Sequence, residues 1–266
     1  MDCANGAMSN VAPELLGRLG AKLNVIHATP NGKNINAGCG AVHLESLTSE
    51  MKQANADFGV AFDGDGDRAL FVSSSGRRID GDAVLLVMAR RMRPSIVVGT
   101  SMTNFALEQL LKAKGIPLTR VDVGDRYIFE ELRRGNGHQE LLGGEPSGHI
   151  IFPDFGLSGD GLLTALKVAE AVVDAKASLD ELTSDWSPAP HLLKGIHVEK
   201  RIPLEQLPLL QSKIAEVERA LTGRGRLVVR YSGTEPLLRI MIESDDASRN
   251  EKFMEELIEI VRESLR

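Results

Sequence analysis

The sequence predicts an α/β protein made of two consecutive layered units, the first incomplete, followed by a small α+β domain. Three observations carry this. Short apolar, strand-like runs alternate with helical periodicities over residues 1–175. Turn-rich breaks at 73–76 and 186–190 divide the chain into 1–76, 77–185 and 186–266. Beyond 190 the alternation changes to strand, helix, two strands joined by a short turn, and a closing helix. A length of 266 residues suits two or three domains with real cores.

Each element follows from local pattern. Met1-Asp-Cys-Ala-Asn-Gly-Ala7 reads as a strand-to-helix loop with no strand before it, hence an incomplete first unit. Val11, Leu15, Leu16 and Leu19 recur at helical spacing, with Pro13 suited to a first turn and Gly20 to the end. A strand is expected at 22–27, then a Gly/Asn-rich loop at 30–40 and a helix presenting Leu44, Leu47 and Met51. Phe58-Gly-Val-Ala-Phe62 and Ala69-Leu-Phe-Val72 are strands around an acidic loop. The second unit shows helices at 81–93, 103–114, 125–134 and 160–175, with strands at 95–99 and 116–123. A glycine-rich loop, Gly143-Gly-Glu-Pro-Ser-Gly-His149, runs into Ile150-Ile-Phe152. The last unit should hold strands near 192–199, 226–230 and 237–243 and a helix at 204–221. Its closing helix carries Phe253, Leu257, Ile260 and Val261.

Composition narrows the function. A hydrophobic content of 42% and a charged content of 26% are those of a soluble globular protein. The formal charge of −6 argues against nucleic acid, whose phosphates demand clustered Lys and Arg. No apolar stretch approaches the roughly 20 residues of a membrane span, and no signal-peptide pattern is present. Two cysteines, Cys3 and Cys39, make neither a C-x-x-C motif nor a disulfide framework. The expected location is the cytoplasm.

The chemistry concentrates in Asp63-Gly-Asp-Gly-Asp-Arg68. Three carboxylates at alternate positions repel one another, by roughly 4 kcal/mol per close pair at 4 Å in a surface-like dielectric. A cation must offset that. The glycines let the backbone approach it, and an all-oxygen set suits Mg²⁺ with positions left for a phosphate. An EF-hand starting at Asp63 would need Gly at its sixth position and Glu at its twelfth, where Arg68 and Ser74 stand. A haloacid-dehalogenase-like phosphatase would use Asp63 as nucleophile; that family usually has Thr or Val where Asp67 stands, and this is the second enzyme reading.

Two further loops complete the set. In Arg230-Tyr-Ser-Gly-Thr-Glu-Pro236, Arg230, Ser232, Gly233 and Thr234 can converge on a phosphate. In the 144–149 loop, Glu145 and Ser147 suit sugar hydroxyls, and His149 can move a proton near neutral pH. Arg68 and His149 are thus the catalytic candidates. His43-Leu-Glu45 matches half of a zinc-deaminase signature whose P-C-x-x-C half is absent. His27, His138, His191 and His197 lack ligand spacing. Metal, hydroxyl-reading and phosphate-gripping loops together imply phosphoryl transfer on a phosphorylated sugar.

The chain resembles the α-D-phosphohexomutase superfamily, and within it the bacterial glucosamine-phosphate branch. The likeness runs through residues 2–7, 30–36, 63–68, Ile79-Asp-Gly-Asp82, Val123-Gly-Asp-Arg-Tyr127, 144–149, Gly159-Asp-Gly161 and 230–236. Asn-Ile-Asn and Val-Gly-Asp-Arg-Tyr favour that branch over phosphomannomutases and phosphoglucomutases. The resemblance implies conversion of glucosamine 6-phosphate to glucosamine 1-phosphate through a hexosamine 1,6-bisphosphate. It implies one Mg²⁺ on Asp63, Asp65 and Asp67, with the phosphate of an active-site phosphoserine as the fourth ligand. Two departures stand out. No Ser-His-Asn-Pro nucleophile loop occurs, so the chain resembles the family's second (incomplete), third and fourth domains. The first would be supplied upstream or in trans, and the chain alone is expected to be inactive, a metal and phosphosugar binder. Asp122 stands where relatives commonly carry Lys.

Overall fold

A computed structural model describes residues 1–135, 140–233 and 235–265. They form two compact units, one of residues 1–103 with 107–186 and one of 104–106 with 187–266.

The first unit opens with α1 (Met8–Arg18), α2 (Glu45–Ala54), β1 (Phe58–Phe62), β2 (Ala69–Ser73) and β3 (Arg78–Ile79). Its three strands form one antiparallel sheet in the order β1-β2-β3, with Phe62 opposite Ala69 and Phe71 opposite Ile79. Two expectations fail here. The strand at 22–27 reduces to a parallel bridge between Asp2 and Ile26, while Asp2 also bridges Ala61. The pairing there is limited to single contacts, such as the Ile26 amide to Met1 O (2.9 Å) and the Asn5 amide to His27 O (2.6 Å), too few for a strand. Helix α1 forms, but Pro13 lies inside it and the buried face is Ser9, Ala12 and Leu16. Val11 and Leu19 face solvent. Helix α2 buries Leu47 and Met51 against β1 and β2, as their spacing predicts.

Next come α3 (Gly81–Met92), β4 (Ile96–Thr100), α4 (Phe105–Lys112), β5 (Leu118–Val121), α5 (Asp125–Arg134), β6 (Leu141–Gly144) and β7 (Ile150–Ile151). α6 (Gly161–Ala175) and the short α7 (Leu179–Leu182), which the sequence does not signal, complete the unit. The second sheet runs β5-β4-β6-β7, with β4 parallel to both β5 and β6 and β7 antiparallel at the edge. Asp80 caps α3 by accepting from the Ala83 amide, and Asp160 caps α6 through Leu163. Helix α3 is buried on every side from Gly81 to Ala89, which explains its near-continuous apolar run. Gly143 and Gly144, expected in a loop, pair with Ile151 and Ile150 in a tight hairpin.

The second unit contains β8 (His191–His197), a 3₁₀ turn (Leu204–Gln206), α8 (Pro208–Leu221), β9 (Gly225–Tyr231), β10 (Leu237–Ser244) and α9 (Ala247–Ser264). The helix expected at 204–221 is broken because Pro208, lacking an amide hydrogen, starts a new helix at its first position. β10 lies between β8 and β9, antiparallel to both. Leu238, Ile240 and Ile242 of β10 pack with Leu210, Val217, Leu257 and Val261 into one core.

Candidate metal centre and sugar-phosphate loops

The Phe62–Ala69 register leaves Asp63–Arg68 as the loop of the β1–β2 hairpin. Gly66 takes a left-handed conformation (φ +80°) that closes it. Asp63 Oδ1 accepts from the amides of Gly66 (3.1 Å) and Arg68 (3.2 Å), so the first carboxylate folds its own loop. Outside contacts clamp the backbone: the Ala7 amide donates to Gly64 O (2.9 Å) and the Gly161 amide to Gly66 O (3.0 Å). The glycines permit this approach, since a Cβ on Gly6 would stand 2.2 Å from Gly64 O.

Asp63, Asp65 and Asp67 each offer an oxygen, all within 4.8 Å of one another. Asp63 is buried, Asp67 half-buried and Asp65 exposed. Arg68 Nε donates to Asp63 Oδ2 at 2.6 Å and to Asp67 Oδ1 at 3.3 Å. Burial opposes the guanidinium charge, but Asp63 and then Asp67 outweigh it and hold its pKa above the usual arginine value. One guanidinium against three carboxylates leaves the loop short of positive charge, and Asp65 has no ion pair among the described residues. A hard divalent cation fits that donor set and that deficit.

The 144–149 loop lies beside it. Arg68 and His149 form an antiparallel bridge, and the Ala69 amide donates to Gly148 O (3.1 Å). His149 Nδ1 is 3.0 Å from Asp67 Oδ2. The ring is buried against Gly159, whose hypothetical Cβ would meet it at 2.3 Å. With Nδ1–H donating to the carboxylate, Nε2 carries the free lone pair, and it has no hydrogen-bond partner among the described residues. Glu145 Oε1 accepts from the Gly124 amide (3.1 Å) and Oε2 from Ser147 Oγ (3.2 Å), tying this loop to the start of α5. Asp122 is exposed beyond β5.

In the second unit, Arg230 is exposed on β9 and stands opposite Arg239 of β10. Ser232 is buried and its amide donates to Leu237 O (2.8 Å), while Gly233 is exposed. Thr234 lies outside the described residues, as does His138. Arg201 donates to Glu235 O (2.9 Å), and Arg239 pairs with the Glu235 carboxylate. Arg201 and Arg239 were not signalled by the motif: the strand register brings Arg239 alongside Arg230, and Arg201 is 29 residues upstream of it. Elsewhere, His27 gains a partner that sequence spacing hid, Asp2 Oδ2 at 3.0 Å. Asp2 also accepts from the amides of Ala4 and Gly40, so this group braces backbone.

Fold and hairpin define a layered α/β protein with a carboxylate cluster suited to a divalent cation. Residues 1–76, 80–189 and 192–260 match phosphoglucomutase/phosphomannomutase α/β/α domain II, α/β/α domain III and the C-terminal domain. The chain belongs to the phosphoglucomutase/phosphomannomutase family. It is 44% identical to a phosphoglucosamine mutase of Solibacter usitatus, over all of this chain and 60% of that protein. Against that of Agrobacterium fabrum the identity is 42%, over 98% of this chain and 58% of the relative. It thus spans about three-fifths of the curated relatives it matches. Among solved structures, a phosphoglucomutase/phosphomannomutase family protein from Burkholderia thailandensis superposes with a TM-score of 0.80 at 21% identity. That match covers 99% of this chain and 59% of the other. An Aspergillus fumigatus N-acetylphosphoglucosamine mutase, solved with GlcNAc-6P and magnesium, gives 0.75 at 21% identity, over 100% and 61%. Among the described residues, no helix is long and apolar enough to cross a membrane.

Proposed function

We propose that these residues form the metal, sugar and phosphate-binding part of a phosphoglucosamine mutase, interconverting glucosamine 6-phosphate and glucosamine 1-phosphate. The observation that carries the reading is the acidic hairpin, with three carboxylates converging beside the 145–149 loop. In this reading 1–76, 77–185 and 186–266 are three successive domains. Asp63, Asp65 and Asp67 would hold one Mg²⁺, which when bound neutralises charge on phosphoryl oxygens. Arg68 orients Asp63 and Asp67 and adds positive charge beside the reacting phosphate. Glu145 and Ser147 read sugar hydroxyls, and His149 Nε2 accepts or returns a hydroxyl proton. Arg230, Ser232, Gly233 and Thr234 grip the phosphate that does not react, on whichever end of a hexosamine 1,6-bisphosphate it lies.

The names of the relatives favour the glucosamine branch over mannose or glucose substrates. The geometry disfavours a phosphatase with Asp63 as nucleophile: Asp63 is buried and both its oxygens are engaged, one by two amides and one by Arg68.

The attacking serine is not among the motifs of this chain, and we assign it to a segment outside these 266 residues. With Mg²⁺ and a bisphosphate activator, the 266-residue chain is therefore expected to bind glucosamine 6-phosphate without converting it. Steady turnover by this chain alone would contradict the assignment.

A further inference from the structure

Asp67 and His149 also line a cavity of about 340 Å³ on the first unit, with Asp125, Arg126, Phe129, Ile151, Leu157, Ser158 and Gly159. Its size is that of a small-molecule site, roughly 300–1,000 Å³. Three observations give the cavity a chemical preference. First, His149 Nε2 is a buried polar atom without a partner among the described residues, on a side chain that lines this space. It waits for a hydrogen bond that the protein does not supply.

Second, the charge is negative. Arg126, the cavity's guanidinium, is engaged by Glu130 at 2.8 Å and is largely turned to solvent. Asp125 makes no ion pair among the described residues; its Oδ1 accepts only the neighbouring Arg126 amide (2.7 Å). Asp67 on the same wall is already paired with Arg68, so Asp125 is the carboxylate left to favour a cation. Third, Phe129, Ile151 and Leu157 give an apolar wall on which the C–H face of a sugar ring can rest. The Gly124 amide bound to Glu145 Oε1 fixes Asp125 next to the hydroxyl-reading loop.

We infer that this cavity is an amine subsite, in which Asp125 binds the ammonium of an amino sugar while His149 Nε2 takes an adjacent hydroxyl. The inference rests on the phosphosugar reading above and deepens it: Asp125 becomes the residue that separates an amino sugar from its hydroxyl counterpart.

The test is calorimetric titration of the 266-residue chain with Mg²⁺ and, separately, glucosamine 6-phosphate, glucose 6-phosphate and N-acetylglucosamine 6-phosphate. Glucosamine 6-phosphate is expected to bind about tenfold more tightly than the two analogues that lack the ammonium, as a charge-assisted hydrogen bond warrants. In Asp125→Asn that preference should collapse to near parity, with glucose 6-phosphate affinity unchanged. Asp125→Glu, which keeps the carboxylate, should retain part of it. Equal binding of the three sugars by the unaltered chain, or a preference that survives Asp125→Asn, overturns the subsite alone. Binding of none of them overturns the phosphosugar reading, and the subsite with it.

Discussion

The acidic hairpin and the segment around Gly233 answer two different demands on backbone. Around the hairpin, glycines are where backbone meets backbone. A Cβ on Gly161 would lie 2.7 Å from Arg68 O, one on Gly148 2.3 Å from Ala69 O, and one on Gly81 1.9 Å from Glu145 O. A Cβ on Gly233 would meet nothing within 4 Å among the described residues, and Arg230 near the end of β9 is exposed. In the proposed reading, a point cation held by three carboxylates needs fixed oxygens, whereas a loop proposed to take a phosphate from either end of a sugar needs room to adjust. The contrast teaches that preorganisation is placed where the charge is most concentrated.

The most severe way to probe this contrast is to fill the glycines. Gly81→Ala drives a methyl into the 145–148 backbone and is expected to cost about 2–3 kcal/mol, or on the order of 5–10 °C in Tm. Gly233→Ala should stay within about 0.5 kcal/mol. Thermal unfolding of the two variants checks both figures; equal losses would erase the distinction.

A smaller effect concerns the turn at 73–76, where the sequence suggests a domain boundary. Asp180 of α7 accepts from Ser73 Oγ (2.8 Å), Ser74 Oγ (3.1 Å), and the amide (3.0 Å) and hydroxyl (2.7 Å) of Ser75. Partial burial pushes the Asp180 pKa up, but these hydrogen bonds outweigh it and hold the group at about 2, below its ordinary 3.8. A depressed carboxylate stabilises the fold above its unfolded pKa and loses that contribution as pH falls through the folded one. The Tm gap between the unaltered protein and Asp180→Asn should therefore be widest above pH 4 and close toward pH 2. A gap independent of pH would show that Asp180 does not act through its charge.

How much of this was legible in the sequence follows from the range of each interaction. The acidic loop, the strands around it and helices α2, α3, α5 and α6 rest on contacts within a few residues, so composition and period suffice. What escaped depends on pairing across long separations. His149 meets Asp67 82 residues away, and Glu145 meets Gly124 21 residues away. The buried face of α1 takes in Ser9, Ala12 and Leu16 and leaves Val11 and Leu19 in solvent, and only Ile26 of the expected strand at 22–27 forms a bridge. Asp125 is visible in sequence only as part of Val-Gly-Asp-Arg-Tyr; the fold places it with His149 in the lining of one cavity.

Asp63, Asp65 and Asp67 together offer the proposed cation site. Asp65 is the discriminating position, since it is exposed and has no ion pair among the described residues, so its replacement should spare the fold. Magnesium titration of the unaltered chain and of Asp65→Asn, with Tm measured for both, tests this directly. The expected result is one Mg²⁺ bound by the unaltered chain and binding weakened at least about tenfold in Asp65→Asn at unchanged Tm. Equal Mg²⁺ binding by the two proteins would contradict it.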